Sequence, residues 1–301
     1  MSYTPLHVYS GYSLLKSGLK IDQYLEMAKK MGLTTVGISD FANLTGAPVI
    51  YHEAEKRGLK VIFGEDLVIE NLLFSFYVLN ETGYSNLLKL SLEVEKGNNL
   101  RDVILEYNEG LAVVLSTQND PLKQALVTDE DSFAKKLAKL TRGFSNFYLG
   151  LEVTQETSYI ETMRSFAFSH GYKVLAFPSV KYVKKEDAIV LEMMKAIDSK
   201  EVLEIKSLSG EEYLKTFEEI ASFYKEEELQ NVEELVSKVD FTFIKPRGRL
   251  ISWFDITGEK GDDAIVRLAL QGLKEKGKTA PEYIARLNFE LQTIKQMGYS
   301  D

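Results

Sequence analysis

The sequence predicts an α/β fold built as a closed, TIM-like barrel of parallel βα units. Three observations carry that expectation. Strand-like and helix-like apolar patterns alternate through about the first 180 residues. Six or seven such units in that length suit a closed barrel better than an open sheet. His7, Asp40, Glu65, Ser116 and Ser179 all fall at or just past the ends of the expected strands, which is where βα barrels carry functional groups.

The elements follow in order. "TPLHVY" reads as a strand, and "IDQYLEMAKKMG" as a helix with Ile21, Tyr24, Leu25 and Ala28 on one face and Gly32 as its stop. "TTVGIS" is a short buried strand, and "TGAPVIYHEAEKRG" a helix ended by Gly58. "KVIFGEDLVIE" and "NLLFSFYVLN" are strands, and "YSNLLKLSLEVEKG" is helical. "GLAVVLS" is a strand, and "DEDSFAKKLAKLTRG" a helix with acidic residues in its first turn, where the helix dipole favours them. "NFYLGLEV", "SYIETMRSFAFSHG" and "YKVLAFPSVKY" complete the alternation as strand, helix and strand.

Beyond about residue 185 helices dominate: "EDAIVLEMMKAIDS", "SGEEYLKTFEEIASFYKEEELQNVEELVSKV", "DDAIVRLALQGLKEKG" and "APEYIARLNFELQTIKQMG". The expected division is a barrel over 1–195 and a helical extension over 196–301. "KPRGR", Lys245 to Arg249, reads as a solvated loop rather than a phosphate contact.

Composition narrows function. The chain has 301 residues, no cysteine and three histidines, His7, His52 and His170. The lack of cysteine excludes disulfides and thiolate metal sites and suits a reducing cytoplasm. No apolar run is long enough for a membrane span, and the N-terminus lacks the pattern of a signal peptide. The net charge of −9 argues against a strong grip on duplex DNA, which rests on neutralising phosphates. No P-loop is present, and three histidines leave no Ser-His-Asp arrangement to argue for. His7 alone is expected to be a hydrogen-bonded structural histidine. Asp40 is expected to cap the turn of "DFANLTG", and Tyr9 and Tyr12 to form the wall of the cleft.

Five stretches, "LHVYSGYSLLKSG", "SDFANLTG", "IFGED", "PSVKY" and the closing "ARLNFELQTIKQMGYSD", carry a resemblance. Together they resemble the PHP (polymerase and histidinol phosphatase) domain at the N-terminus of bacterial DNA polymerase III alpha subunits, nearly end to end. The family patterns are L-H-x-H-S, Y-S-L-L-D-G, T-D-H-x-N-L-x-G, I-x-G-x-E and N-D-V-H-Y. The resemblance implies a distorted (β/α)7 barrel whose strand ends can hold up to three metal ions, zinc or manganese. In some members it also implies phosphoesterase or proofreading exonuclease activity.

Carried over position by position, His7 is kept and Tyr9 replaces a histidine. Lys16 replaces an aspartate, Asp40 is kept, and Phe41 replaces a histidine. Glu65 is matched to the acidic position, while Ser179 replaces an aspartate and Lys181 a histidine. Phe41 offers no lone pair, and an ammonium offers only donors. An ammonium a few ångströms from a divalent ion is repelled by roughly several kcal/mol even at an effective dielectric near 20. The expectation is therefore a vestigial cleft without zinc or manganese and without catalytic residues, in which Lys16 or Lys181 pairs with Glu65.

The implied whole is a DNA-directed DNA polymerase, a nucleotidyltransferase that uses Mg2+ in its palm. The implied role of this region is that of a structural module in DNA replication. Its expected partners are the polymerase palm and thumb and replisome proteins such as a proofreading exonuclease, with DNA held weakly if at all and no membrane contact. The alternative is a metal-dependent phosphoesterase or 3′–5′ exonuclease working in the cleft.

Overall fold

The structure is a computed structural model that describes residues 3–98, 100–117, 120–152, 157–200, 210–243 and 251–300. It divides into two compact units, Met1–Phe243 and Ile244–Asp301.

In the first unit the helices are α1 (Ile21–Lys30), α2 (Ala47–Glu55), α3 (Glu81–Glu95), α4 (Leu100–Glu106), α5 (Asp120–Thr128), α6 (Glu130–Leu140), α7 (Thr157–His170), α8 (Ala188–Ser199), α9 (Phe217–Phe223) and α10 (Glu226–Ser237). The strands are β1 (Thr35–Phe41), β2 (Lys60–Ile69), β3 (Leu72–Val78), β4 (Leu111–Ser116), β5 (Phe147–Leu151) and β6 (Lys173–Ala176). They form one curled sheet in sequence order, β1 to β6. In the second unit α11 (Trp253–Thr257) precedes α12 (Gly261–Glu275) and α13 (Pro281–Gln296).

The expected all-parallel arrangement needs correction. β1–β2, β4–β5 and β5–β6 are parallel, but β3 runs antiparallel to both β2 and β4. The cause is a tight hairpin. Glu70 and Asn71 both adopt positive φ, 50° and 66°, and two such residues in succession reverse the chain within a right-twisted ribbon. No helix intervenes between β2 and β3, so no parallel crossover forms there.

The first expected strand also differs. Segment 5–9 makes a single bridge, Val8 to Val180. Its backbone is nonetheless bonded on both sides. Gly37 and Ser39 of β1 donate to the carbonyls of Pro5 and Val8, and Val180 and Tyr9 exchange bonds with His7 and Val180 (2.9–3.0 Å). Gly37 permits this approach, because a Cβ there would lie 2.4 Å from the Pro5 oxygen. The architecture is thus a mixed α/β sheet of six strands, curled toward segment 5–9, rather than seven regular βα units.

The division near residue 195 is likewise not where the structure places it. Ile220, Val232 and Leu235 of α9 and α10 are fully buried in the same core as Leu6, Ile62, Phe76, Leu149 and Phe177. Asn231 donates to the Val174 carbonyl at 2.7 Å, and Tyr224 to that of Leu151 at 2.8 Å. A helix needs a surface for its apolar stripe, and for α10 that surface is β6. The helices up to 237 therefore belong with the sheet, and "KPRGR" lies outside the described residues.

One close approach sets a stability test. Gly83 lies in the first turn of α3, and a Cβ on it would fall 1.8 Å from the Gly110 carbonyl oxygen, which is backbone and cannot swing away. Gly83→Ala is expected to cost about 2 kcal/mol of stability, and to lower the melting temperature by about 5 °C in a thermal scan. An unchanged melting temperature would show that α3 does not pack this tightly.

Candidate functional site

β2 decides the site. Side chains alternate across a strand, so neighbouring Glu65 and Asp66 face opposite sides of the sheet. Both are fully buried. Asp66 turns to segment 5–9: its Oδ2 lies 3.0 Å from His7 Nε2 and accepts the Tyr9 hydroxyl at 2.6 Å. Glu65 turns to α3, where its Oε1 accepts from Ser91 Oγ at 3.0 Å.

The other ring nitrogen of His7, Nδ1, lies 2.9 Å from Ser179 Oγ and 3.9 Å from Glu152 Oε2. The ring stacks on Phe177, with centroids 4.5 Å apart and planes 6° apart. Glu152, just past β5, accepts the Ser179 backbone N–H at 2.6 Å. Ser179, His7 and Asp66 therefore line up as a hydrogen-bonded chain, an arrangement that three histidines alone did not suggest. It lacks an accessible nucleophile, since Ser179 is 1% exposed.

Asp40 is the penultimate residue of β1, and it does not cap the turn that follows. Its oxygens accept from the Ser10 N–H (2.7 Å), Ser10 Oγ (2.7 Å) and Ser13 Oγ (2.6 Å), so it holds the loop after segment 5–9. The turn of "DFANLTG" is held by Asn43, whose side chain accepts from the Thr45 N–H and donates to the Phe41 carbonyl.

The expected ion pair with Glu65 is not formed. Lys181 Nζ pairs with Glu212 Oε1 at 2.5 Å, and Lys16 Nζ lies 4.3 Å over the Phe41 ring. The reason is the strand period: both lysines border a cavity with His7, Tyr9 and Phe41, while Glu65 is on the other face of the sheet.

Charge and burial set the titration of these groups. Burial raises the Asp40 carboxyl against the pull of its serine donors. Burial also raises Glu152, and nearby His7 lowers it. Burial and the Asp66 carboxylate raise Tyr9 well above its ordinary range, so its hydroxyl keeps the proton that it donates to Asp66. Burial pushes Glu65 up to about 7, and Oε2 has no hydrogen-bond partner among the described residues.

His7 is engaged at both ring nitrogens: Nε2 lies against the Asp66 carboxylate and Nδ1 against the Ser179 hydroxyl. Asp66 Oδ1 is buried without a partner, but one free oxygen is not a site. Among the described residues no group of three or more His, Asp or Glu side chains could hold a metal ion.

A family model for the PHP domain matches residues 5–156. The chain belongs to the PHP domain family. It is 27% identical to the DNA polymerase III subunit alpha of Bacillus subtilis (strain 168), across 100% of this chain and 29% of that protein. It is 26% identical to the subunit of the same name in Escherichia coli O157:H7, across 99% of this chain and 29% of that one. For Streptococcus pyogenes serotype M3 the identity is 26%, covering 96% and 26%. This PHP chain thus spans less than a third of the curated relatives it matches. It also overlays a structure described as a candidate metal-dependent phosphoesterase of Bifidobacterium adolescentis. That overlay has a TM-score of 0.47 at 12% identity and covers 82% of this chain and 99% of that one, a likeness too low to argue from.

The PHP motif also locates the residue that the sequence reading misplaced. Laid on Ile62, Phe63 and Gly64, the pattern I-x-G-x-E puts its acidic letter on Asp66, not Glu65. Letter-by-letter alignment and strand alternation both point to Asp66. Glu152 carries a weaker signal, an acid directly after an apolar strand. Glu212 carries none, because it meets Lys181 from 31 positions further along the chain.

Glu65 supplies a pH test. Its folded pKa, about 7, lies above the unfolded value of 4.5, so folding favours the protonated form. The stability linked to that proton is present below about pH 4.5 and is lost as pH rises through about 7. Glu65→Gln is expected to stabilise the protein at pH 8 by up to about 3 kcal/mol. It should also flatten the stability curve between about pH 5 and 7 in urea titrations. An unaltered curve would show that Glu65 reaches water.

Proposed function

We propose that this chain is the N-terminal PHP region of a DNA polymerase III alpha-type polypeptide, and that its cleft works without metal as a structural and interaction module. The observation that carries this reading is the engagement of His7 on both ring nitrogens, by Asp66 and by Ser179.

Chemistry at the neighbouring positions supports it. A metal cluster needs electron-pair donors. Here Phe41 presents a ring, while Lys16 and Lys181 present ammonium groups to the same cavity. Tyr9 donates to the carboxylate rather than coordinating. Asp40 spends both its oxygens on the loop, and Asp66 its Oδ2 on segment 5–9. The work of the cleft is then mechanical: it fixes the N-terminal segment to β1, β2 and residue 180.

Nucleotide transfer, Mg2+ in a palm, and contacts with thumb and proofreading subunits belong to the proposed whole, in residues outside this chain. The acidic net charge, −9, supports weak DNA contact by this region.

Elemental analysis of protein purified without chelators tests the reading. The expected result is zinc and manganese far below stoichiometric, with no phosphomonoesterase activity gained on adding either ion. About one or more ions per chain, removable by chelator with loss of phosphoesterase activity, would overturn it.

A further inference from the structure

We infer that the inner face of the sheet carries a binding site for one ordered water molecule, formed by Asp66 Oδ1 and the hydroxyls of Ser39, Ser75 and Tyr77. The carboxylate oxygen concerned is the one that His7 and Tyr9 leave open.

Strand register brings the four groups together. Asp66 lies opposite Ser75, and Gly64 opposite Tyr77, across the antiparallel β2–β3 pair. Ser39 lies opposite Gly64 across the parallel β1–β2 pair. Opposed residues share a face of the sheet, and so do residues two apart on one strand. Ser39, Asp66, Ser75 and Tyr77 are therefore on one face, the face on which Asp66 meets His7 and Tyr9. All four residues are fully buried.

Each of them leaves a polar atom unmet. Asp66 uses Oδ2 for His7 and Tyr9. Its Oδ1, Ser39 Oγ, Ser75 Oγ and the Tyr77 hydroxyl have no hydrogen-bond partner among the described residues. A buried polar atom without a partner costs free energy, and a carboxylate oxygen costs most. Four of them on one face of three adjacent strands point to a shared partner.

The groups are neighbours without closing direct bonds. Burial and the Asp66 carboxylate raise the Tyr77 hydroxyl well above its ordinary range, and the nearby Ser39 and Ser75 hydroxyls pull it back. Gly64 makes the room. It puts no side chain between Ser39 and Tyr77, and the Tyr77 ring leans over it, so that a Cβ on Gly64 would lie 3.0 Å from Tyr77 Cδ1. Ser39 and Ser75 stand on β1 and β3 with β2 between them. Two strand spacings separate their backbones by about 9–10 Å, too far for two serine side chains to meet.

The tally of donors and acceptors selects the occupant. Tyr77 keeps its proton and donates, Asp66 Oδ1 accepts, and each serine can do either. A water molecule has two protons to give and two lone pairs to fill. It can donate to Asp66 Oδ1 and one serine while accepting from Tyr77 and the other. Buried waters make about three such bonds each, so four candidate partners are enough. An anion would meet the Asp66 carboxylate. A divalent cation takes about six oxygens or more, and this site offers four oxygens and one charge. The water extends the Asp66 anchor across the sheet: segment 5–9 is bonded to one carboxylate oxygen, and β1 and β3 are joined to the other.

A high-resolution crystal structure of the full chain, as purified, tests this. The expected result is a single peak of water density within about 2.6–3.2 Å of Asp66 Oδ1 and of at least two of the three hydroxyls. Direct bonds among the four side chains with no peak between them would overturn the proposal. So would a peak about 2.0–2.4 Å from its oxygens, which marks a cation. In solution, oxygen-17 relaxation dispersion counts long-lived internal waters. Ser75→Val, with a side chain that suits a strand, fills part of the site and should remove one water from the count. An unchanged count in a variant that circular dichroism shows to be folded would also overturn the proposal. The density of the unaltered chain decides the matter even where that variant fails to fold.

Discussion

The Asp66 carboxylate, buried on the inner side of β2, is the point on which the cleft depends. One of its oxygens receives both His7 and Tyr9, and these belong to a segment that makes only one bridge of its own. Without that anchor, segment 5–9 would keep four backbone bonds to β1 and residue 180, the bond between His7 and Ser179 and that from Ser17 to the Tyr9 carbonyl. A buried carboxylate is costly unless its charge is met by donors at close range. The phenol of Tyr9 at 2.6 Å and the imidazole at 3.0 Å meet it. Removing either leaves a buried charge with a missing partner, which costs more than the bond itself is worth.

The same contact shows how the polar groups of this cleft satisfy one another. Polar groups that would face a cation in a metal site need other partners when no cation balances them. Here they find one another. His7 spans Asp66 and Ser179, Glu152 takes the Ser179 N–H, and Asp40 takes three serine donors. At the mouth Lys181 pairs with Glu212, and Lys16 rests over the Phe41 ring. The result is a buried polar network that ties segment 5–9 to the sheet, with Asp66 Oδ1 left without a partner among the described residues.

Much of this was legible in the sequence. The helices at 21–30, 47–55 and 81–95 announce themselves by apolar spacing and by glycines such as Gly32 and Gly58, both of which adopt the positive φ that stops a helix. The family was legible from short motifs, and His7 from its place in the first of them. What escaped has physical causes. The β2–β3 hairpin turns on Glu70 and Asn71 instead of a glycine pair, so an antiparallel step looked like two strands of a parallel series. The helices at 217–237 looked like an appendage because their burial depends on β6, far away in the chain. The one-residue slip from Asp66 to Glu65 reversed the face of the sheet, and with it the expected lysine partner.

A double-mutant cycle on His7→Ala and Asp66→Ala, read as unfolding free energy in the presence of chelator, measures the central contact directly. The two changes are expected to be strongly non-additive, with a coupling of about 1 kcal/mol or more. Additivity within about 0.5 kcal/mol would instead show that the two residues do not support each other in the chelator-treated protein.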